Sequence, residues 1–211
     1  VVHAVIFDID GTLIKSDDAD TALYVAAVRS ILGPVRFRES WARYAHVTDS
    51  AILRNICADN DLEPTQSVHD QVRERFVASL AQHIGTFGPF EEIPGAREFV
   101  LSLHRSPNHV VGYATGGWRA SAELKLASAG FPLDIPLASS DDFADRTSIM
   151  THALSQMGRT FKSIAYYGDG SWDRDATTRL GWRFIAVGEA LAGISSFADS
   201  SCPESAQADA P

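Results

Sequence analysis

Five short apolar runs recur along the chain, and each has the length of one β-strand. Most are rich in valine, isoleucine and aromatic residues without regular polar alternation, which is typical of strands covered on both faces. We therefore expect five buried strands, at residues 2–7, 109–114, 135–138, 163–167 and 183–187.

Helical periodicity fills the gaps between the last four runs. Over residues 119–129, the pattern predicts a helix with Leu124, Leu126 and Ala127 on its apolar face. Regular alternation of strand and helix predicts an α/β fold, with a Rossmann-like parallel sheet covered by helices on both sides. Such sheets bind ligands beyond the carboxyl ends of their strands. The other predicted helices are 96–104, which carries Phe99, Val100 and Leu103 on one face, 148–157 and 174–180.

The segment between the first two strands breaks this alternation. It contains no convincing strand, and its helical patterns cover 22–32, 50–58 and 67–84, with Asp49 as the expected N-cap of the second helix. We therefore predict an all-helical insertion over residues 17–85, within an α/β core formed by 1–16 and 86–198. Residues 199–211 are rich in serine, alanine and aspartate and predict a flexible tail.

Composition narrows the possible partners and compartments. The formal net charge of −9 argues against binding to nucleic acid or to an anionic membrane surface. No stretch approaches the roughly 20 apolar residues that a membrane span needs, and the first residues do not resemble a signal peptide. The two cysteines, Cys57 and Cys202, suggest reduced thiols. We expect a cytoplasmic protein, monomeric or homodimeric.

Four carboxylates follow two of the predicted strands. Asp8 and Asp10 come directly after the first strand, and Asp169 and Asp173 come after the fourth. An Asx-turn leaving a strand would explain the first pair alone. However, closely spaced carboxylates repel one another unless a cation lies between them, and Mg²⁺ prefers oxygen ligands. The two pairs together therefore predict a Mg²⁺ site at the carboxyl edge of the sheet.

A hydroxyl and two glycines end another strand. Thr115, Gly116 and Gly117 follow the second strand and precede a helix. Small residues allow backbone N–H groups to approach a phosphate, and the helix N-terminus favours an anion. A tight strand–helix turn would leave the same pattern.

In this order, the motifs resemble those of the haloacid dehalogenase superfamily. They are Asp8-Ile9-Asp10-Gly11-Thr12, then Thr115-Gly116, then a basic residue, then Gly168-Asp169 with Asp173. The resemblance extends from residue 5 to residue 187. The helical insertion is similar to the cap domain of the phosphoglycolate phosphatase and β-phosphoglucomutase branch.

This resemblance implies a role for each motif. Asp8 would be the nucleophile, and Asp10 would act as general acid and then general base. Thr115 and the Gly116 amide would bind the transferred phosphoryl group. Mg²⁺ would be held by Asp8, Asp169 and the Asp10 carbonyl, and Asp173 would either orient a metal-bound water or help to hold the metal.

The basic residue of the family is usually lysine, and this sequence departs from that pattern. Arg159 and Lys162 precede the fourth strand, which places them at its amino end, opposite the expected site. Arg146 follows the third strand on the correct side. We therefore assign Arg146 to the catalytic and phosphate-binding set, although an exposed arginine at a helix start is the alternative.

The resemblance implies phosphate ester chemistry on a small phosphorylated metabolite. Dehalogenating members typically carry tyrosine in place of Asp10, and phosphonate-cleaving members use a cap lysine, whereas residues 17–85 contain no lysine. The expected activity is that of a Mg²⁺-dependent phosphatase, a phosphoric monoester hydrolase working through an aspartyl phosphate. A phosphosugar mutase and a catalytically silent regulatory binding module remain as alternatives.

Overall fold

The computed structural model describes residues 1–198, which form five strands and seven α-helices. Two short 3₁₀-helices are also present, at Trp41–Arg43 and Glu189–Leu191. The strands are β1 (His3–Phe7), β2 (His109–Ala114), β3 (Leu137–Ala138), β4 (Ile164–Gly168) and β5 (Arg183–Ala186). The helices are α1 (Asp17–Leu32), α2 (Asp49–Asp59), α3 (Gln66–Phe87), α4 (Ala96–Arg105), α5 (Arg119–Ser128), α6 (Arg146–Gln156) and α7 (Ser171–Leu180).

The strands form one parallel sheet in the order β3-β2-β1-β4-β5, which confirms the predicted α/β class. The chain runs outward from β1 to β3 and then returns to β4 on the other side of β1. The strand order therefore reverses between β1 and β4. Open sheets of this kind bind ligands at such a reversal, outside the carboxyl ends of the strands.

Side chains of the central strand alternate between two apolar cores. Val5 and Phe7 pack on the face that α4 and α5 cover, whereas Ala4 and Ile6 pack on the face that α6 and α7 cover. All four side chains are buried. The lack of polar alternation in β1 therefore reflects burial on both faces.

Helices α1, α2 and α3 form a third apolar cluster apart from the sheet. Tyr24, Ile56, Val72 and Phe76 are buried there, together with Trp118 from the loop before α5. The helical periodicity of the segment predicts these elements, although α1 begins at Asp17 rather than at residue 22. The division into a core of residues 1–16 and 86–198 and a cap of residues 17–85 stays a prediction.

Helix α5 buries a different face from the predicted one. Of Leu124, Leu126 and Ala127, only Leu126 is buried, so the prediction that they share the apolar face is wrong. The buried residues are instead Ser121, Ala122, Lys125 and Leu126. Lys125 lies four positions after Ser121, and Leu126 lies four positions after Ala122, so the four share one face of the helix. The prediction used only the apolar residues of the helix. It therefore missed that Lys125, which pairs with acidic side chains, lies on the buried face.

The start of α2 also differs from the prediction. Thr48, not Asp49, is the N-cap residue, and it makes no side-chain capping hydrogen bond. The Asp49 carboxylate instead accepts a hydrogen bond from the backbone N–H of Trp118 at 3.0 Å. Asp49 therefore binds a distant segment of the chain instead of capping α2 as the sequence predicted.

The described residues include one of the two cysteines and none of the predicted C-terminal tail. Cys57 is a buried free thiol, while Cys202 and the tail predicted at 199–211 lie outside the described residues. Within residues 1–198, no helix is both long and apolar enough to cross a membrane.

Candidate active site

The carboxyl ends of three adjacent strands bring the predicted motifs together. Asp8 follows the central strand β1, Thr115 follows β2, and Asp169 follows β4. The Asp8 backbone N–H donates to the Tyr167 carbonyl at 2.9 Å, and the Thr115 N–H donates to the Ala138 carbonyl at 3.0 Å. The sheet ladder therefore fixes both residues at its edge.

Three carboxylates of this edge form a compact group. One oxygen each from Asp8, Asp169 and Asp173 lies within 4.8 Å of the others. Burial raises the pKa of Asp8 well above its usual range, and Asp173 and Asp169 raise it further while Arg146 opposes them. Burial and the charge of Asp173 likewise raise the pKa of Asp169 to about 7. The positive charge of Arg146 does not balance the three carboxylates, and their oxygens are the ligand type of a divalent-cation site.

Gly11, in the loop after β1, allows the Asp169 carboxylate to lie close to that loop. Its φ is +69°, and an added Cβ would lie 2.8 Å from an Asp17 carboxylate oxygen and against the Asp169 carboxylate. A side chain there would be strained and would displace Asp169. The glycine of the Asp-x-Asp-Gly motif is thus a steric requirement of this site.

Arg146 joins the carboxylate group, at the site to which the sequence assigned it. The Asp145 side chain accepts a hydrogen bond from the Ser148 N–H at 2.9 Å, so α6 begins at Arg146. The Arg146 guanidinium lies 3.3 Å from Asp8 Oδ1 through Nη1 and 3.2 Å from Asp173 Oδ1 through Nε. Its side chain is only 10% exposed, so it is not a solvated helix-start arginine.

The loop after β2 presents a hydroxyl and a tight backbone. Thr115 is buried, and its Oγ1 accepts a hydrogen bond from the Gly117 N–H at 3.0 Å, which leaves its own hydrogen available to a ligand. A Cβ on Gly116 would lie 2.7 Å from the Val47 carbonyl and 3.2 Å from Arg146 Nη2. A larger residue at 116 would therefore clash with the Val47 backbone, and it would also crowd the Arg146 guanidinium.

Asp10 lies next to this group, but its side chain has other partners. One oxygen, Oδ1, accepts hydrogen bonds from Ser16 Oγ and from Lys125 Nζ. Lys125 also contacts Asp20 of α1 at 2.7 Å. The sequence reasoning missed Ser16, Asp20 and Lys125, although a lysine three positions after Ala122 and next to Leu126 lies on the face of α5 that packs on the core.

The helical insertion contacts the loop after β2 directly. Trp118 is buried among Tyr24, Phe76 and other insertion side chains, with its ring centroid 5.6 Å from that of Tyr24. The Asp49 N–H donates to the Gly116 carbonyl at 2.8 Å, and Thr48 Oγ1 donates to the Ala144 carbonyl at 2.8 Å. These contacts hold the insertion over the carboxyl edge of the sheet.

A cavity of about 220 Å³, open to solvent on one side, lies between the insertion and the sheet edge. Asp8, Asp10, Thr115, Arg146 and Asp169 line its lower side. A separate groove of about 360 Å³ lies between α2, α3 and residues 140–141, away from these carboxylates. The insertion side of the first cavity is lined by Asp17, Asp20, Thr21, Tyr24, Trp41, Val47, Thr48, Asp49 and Ile52.

The family model of the haloacid dehalogenase-like hydrolases matches residues 2–181, a range that includes every motif described above. The chain belongs to the haloacid dehalogenase-like hydrolases. No curated protein sequence matches the chain.

Solved structures of this family share the fold. A variant of CbbY from Rhodobacter sphaeroides, in complex with xylulose-(1,5)-bisphosphate, is 19% identical, with a TM-score of 0.70 and coverage of 94% of this chain and 96% of that one. β-Phosphoglucomutase from Clostridium difficile is 13% identical, with a TM-score of 0.70 and coverages of 90% and 86%. A hydrolase from Pseudomonas syringae is 18% identical, with a TM-score of 0.68 and coverages of 87% and 84%. At the level of fold, these neighbours confirm the resemblance to the β-phosphoglucomutase branch.

The raised pKa values of the buried carboxylates predict two effects on the stability of this hydrolase. A rise in pH should lower the stability of the metal-free protein, and Mg²⁺ should raise it. A carboxyl whose pKa is raised from about 4 to about 7 binds more protons in the folded state, so stability is lost as pH rises between those values. We expect the metal-free protein to melt at a lower temperature at pH 8 than at pH 5. At about a hundred times its Kd, Mg²⁺ should stabilise the protein by about 2.7 kcal/mol, roughly 5–10 °C, and more strongly at pH 8.

Thermal unfolding with EDTA or MgCl₂ at the two pH values checks this expectation. Asp169→Asn is the matched variant, because it removes one titrating carboxylate of the group, and it should reduce both effects. An equal response of Asp169→Asn and wild type would contradict the assignment of Asp169 to the cation site.

Proposed function

We propose that this hydrolase is a Mg²⁺-dependent phosphatase that cleaves a small phosphate monoester through a phosphorylated Asp8. The observation that carries this proposal is the meeting of a buried carboxylate, a buried guanidinium and a free hydroxyl hydrogen in one cavity. Asp8 Oδ1 and Arg146 Nη1 are 3.3 Å apart, and Thr115 lines the same cavity. These are the nucleophile and the donors that phosphoryl transfer needs.

The residues fit a divalent cation. Asp8, Asp169 and Asp173 have raised pKa values because burial leaves their charges poorly compensated, and Arg146 supplies a single positive charge to all three. They would hold Mg²⁺ together with the Asp10 carbonyl. When bound, Mg²⁺ supplies positive charge that allows a phosphate and the Asp8 carboxylate to approach each other.

In the proposed reaction, an Asp8 oxygen attacks phosphorus and the bond between phosphorus and the ester oxygen breaks. Asp10 gives its proton to the departing oxygen, which leaves as an alcohol. Asp10 then takes a proton from a water that attacks the phosphorus of the acyl phosphate, so the bond to Asp8 breaks and inorganic phosphate is released. Thr115 and Arg146 donate hydrogen bonds to the phosphoryl oxygens throughout.

A phosphosugar mutase is the second candidate, and the lining of the cavity argues against it. A mutase that moves a phosphoryl group between two sugar positions passes through a bisphosphate, so it must neutralise two phosphates. Among the described residues that line the cavity, only Arg146 carries a positive charge, and the insertion side carries Asp17, Asp20 and Asp49. This lining favours hydrolysis of a monoester.

A silent binding module would not need the proton-transfer group at Asp10.

Hydrolysis of p-nitrophenyl phosphate with MgCl₂ or with EDTA tests the activity. We expect turnover with Mg²⁺ and its loss with EDTA. A sugar 1-phosphate then separates the two reactions: a phosphatase releases one inorganic phosphate per ester consumed, whereas a mutase yields an isomeric sugar phosphate with little release. Binding of phosphate without any turnover would favour the regulatory module.

A further inference from the structure

Lys125 is a buried charge that the proposed reaction does not yet use. Its side chain is 1% exposed, and it lies in the core-facing stripe of α5 beside Ala122 and Leu126. A lysine is almost never buried to this extent unless it is paired. The Nζ contacts Asp10 Oδ1 at 2.5 Å and Asp20 Oδ1 at 2.7 Å. Burial lowers the pKa of Lys125, but Asp10 and Asp20 more than reverse this effect, so the side chain stays charged.

The two oxygens of Asp10 have different surroundings. Oδ1 accepts hydrogen bonds from both Lys125 and Ser16. Oδ2 lies 3.8 Å from the point that a Cβ on Gly117 would occupy, and Thr115 Oγ1 lies 3.4 Å from the same point. One oxygen is therefore anchored, while the other is directed at the loop that would bind the phosphoryl group.

Lys125 also joins three segments of the chain at one atom. Asp10 belongs to the loop after β1, Asp20 belongs to α1 of the helical insertion, and Lys125 belongs to α5. The insertion is held in this position by the contacts of Trp118 and Asp49 with the same region. The salt bridge to Asp20 is therefore a second restraint on the ammonium group, in addition to the contact with Asp10.

We propose that Lys125 is a positioning residue for phosphoryl transfer, and that Asp20 assists it. It anchors Asp10 Oδ1 so that Oδ2 is presented to the leaving oxygen of the substrate. This inference rests on the proposed function, because it concerns how Asp10 is oriented to act as the proton donor in that reaction. A lysine that merely ties α5 to α1 would hold the fold but would not affect how the reaction depends on the leaving group.

A series of substituted phenyl phosphates, from the p-nitrophenyl to the p-methoxyphenyl ester, separates the two roles. The weakly basic p-nitrophenolate leaves with little help from an acid, whereas p-methoxyphenolate needs a proton. The quantity to measure is kcat/KM, because it reports the steps up to cleavage of the ester bond and not the later hydrolysis of the acyl phosphate. Asp10→Asn provides the reference for complete loss of proton donation, which is worth about 10²–10⁴-fold.

Lys125→Met keeps the approximate length of the side chain and removes its charge. We expect kcat/KM for the p-methoxyphenyl ester to fall on the order of 10²-fold, with a loss of less than about tenfold for the p-nitrophenyl ester. The profile should approach that of Asp10→Asn. Lys125→Arg, which retains the charge, should stay closer to the wild-type profile. Lys162→Met, at an exposed lysine near the amino end of β4, should leave the profile unchanged.

The double variant Lys125→Met with Asp20→Asn covers the case in which the single variant does not fold. It removes one buried carboxylate together with the ammonium group, so the net charge is preserved, and it should show the same steeper dependence on the leaving group. Equal losses for all esters in the folded variants would overturn the proposal and leave Lys125 a structural tie. Absence of Mg²⁺-dependent turnover in wild type would instead refute the proposed function itself.

Discussion

Asp8→Asn is expected to lower turnover on the order of 10⁴-fold or more while leaving the protein folded. The amide has nearly the shape of the carboxylate but is too weak a nucleophile to form the acyl phosphate. The substitution also removes one charge from a buried carboxylate group whose members raise each other's pKa, so the metal-free variant should be at least as stable as wild type. Steady-state hydrolysis of p-nitrophenyl phosphate and thermal unfolding measure the two effects.

Asp134→Asn is the matched control for this substitution. The Asp134 side chain is 76% exposed and its carboxylate lies 3.3 Å from His104 Nε2, so the same chemical change there should leave the rate within about twofold of wild type. If Asp8→Asn retains more than about a hundredth of the wild-type rate, covalent catalysis by Asp8 is wrong, and direct attack by water would be the mechanism.

Arg146→Ala is expected to reduce kcat/KM by about 10²–10³-fold, the usual cost of losing one donor to a developing anion in a buried site. The guanidinium contacts Asp8 and Asp173 at once, so its loss also leaves a buried carboxylate group without its resident cation. We therefore expect a lower melting temperature without Mg²⁺, and partial recovery of stability when Mg²⁺ is added.

Arg146→Lys and Arg159→Ala complete this test. Lysine supplies the charge but cannot bridge both carboxylates in the forked geometry, so it should recover part of the activity. Arg159 is exposed and lies before β4, at the end of the sheet opposite the site, and its removal should have little effect. If Arg146→Ala stays within about tenfold of wild type, which is roughly 1.4 kcal/mol of barrier, Arg146 is not the phosphate-binding cation.

The sheet could be predicted from sequence because its strands are buried on both faces. Residues 2–7 are almost wholly apolar, so the run indicates a strand whatever its neighbours, and the observed β1 differs by one residue. The third strand was less predictable: residues 135–138 form the apolar run, but only Leu137 and Ala138 pair with β2. Strand ends depend on partners that a local pattern does not contain.

The convergence of the site residues followed from topology, but the contacts among them did not. Motifs at the ends of adjacent parallel strands must meet, which brought Asp8, Thr115 and Asp169 together in the prediction. Lys125 was missed because its partners, Asp10 and Asp20, are more than 100 positions away. The role of Trp118 in the core of the insertion was hidden for the same reason, since its neighbours come from α1, α2 and α3.

The central claim is that Asp8 becomes phosphorylated during turnover, and chemical quenching tests it most directly. Enzyme mixed with p-nitrophenyl phosphate and Mg²⁺ would be quenched in acid within milliseconds, digested and mapped by mass spectrometry. We expect one added phosphoryl group on the peptide that contains Asp8, a higher yield in Asp10→Asn if hydrolysis of the acyl phosphate is slowed more than its formation, and none in Asp8→Asn. Rapid turnover of wild type with Asp8 never phosphorylated at any quench time, under conditions that preserve a synthetic acyl phosphate, would contradict the account.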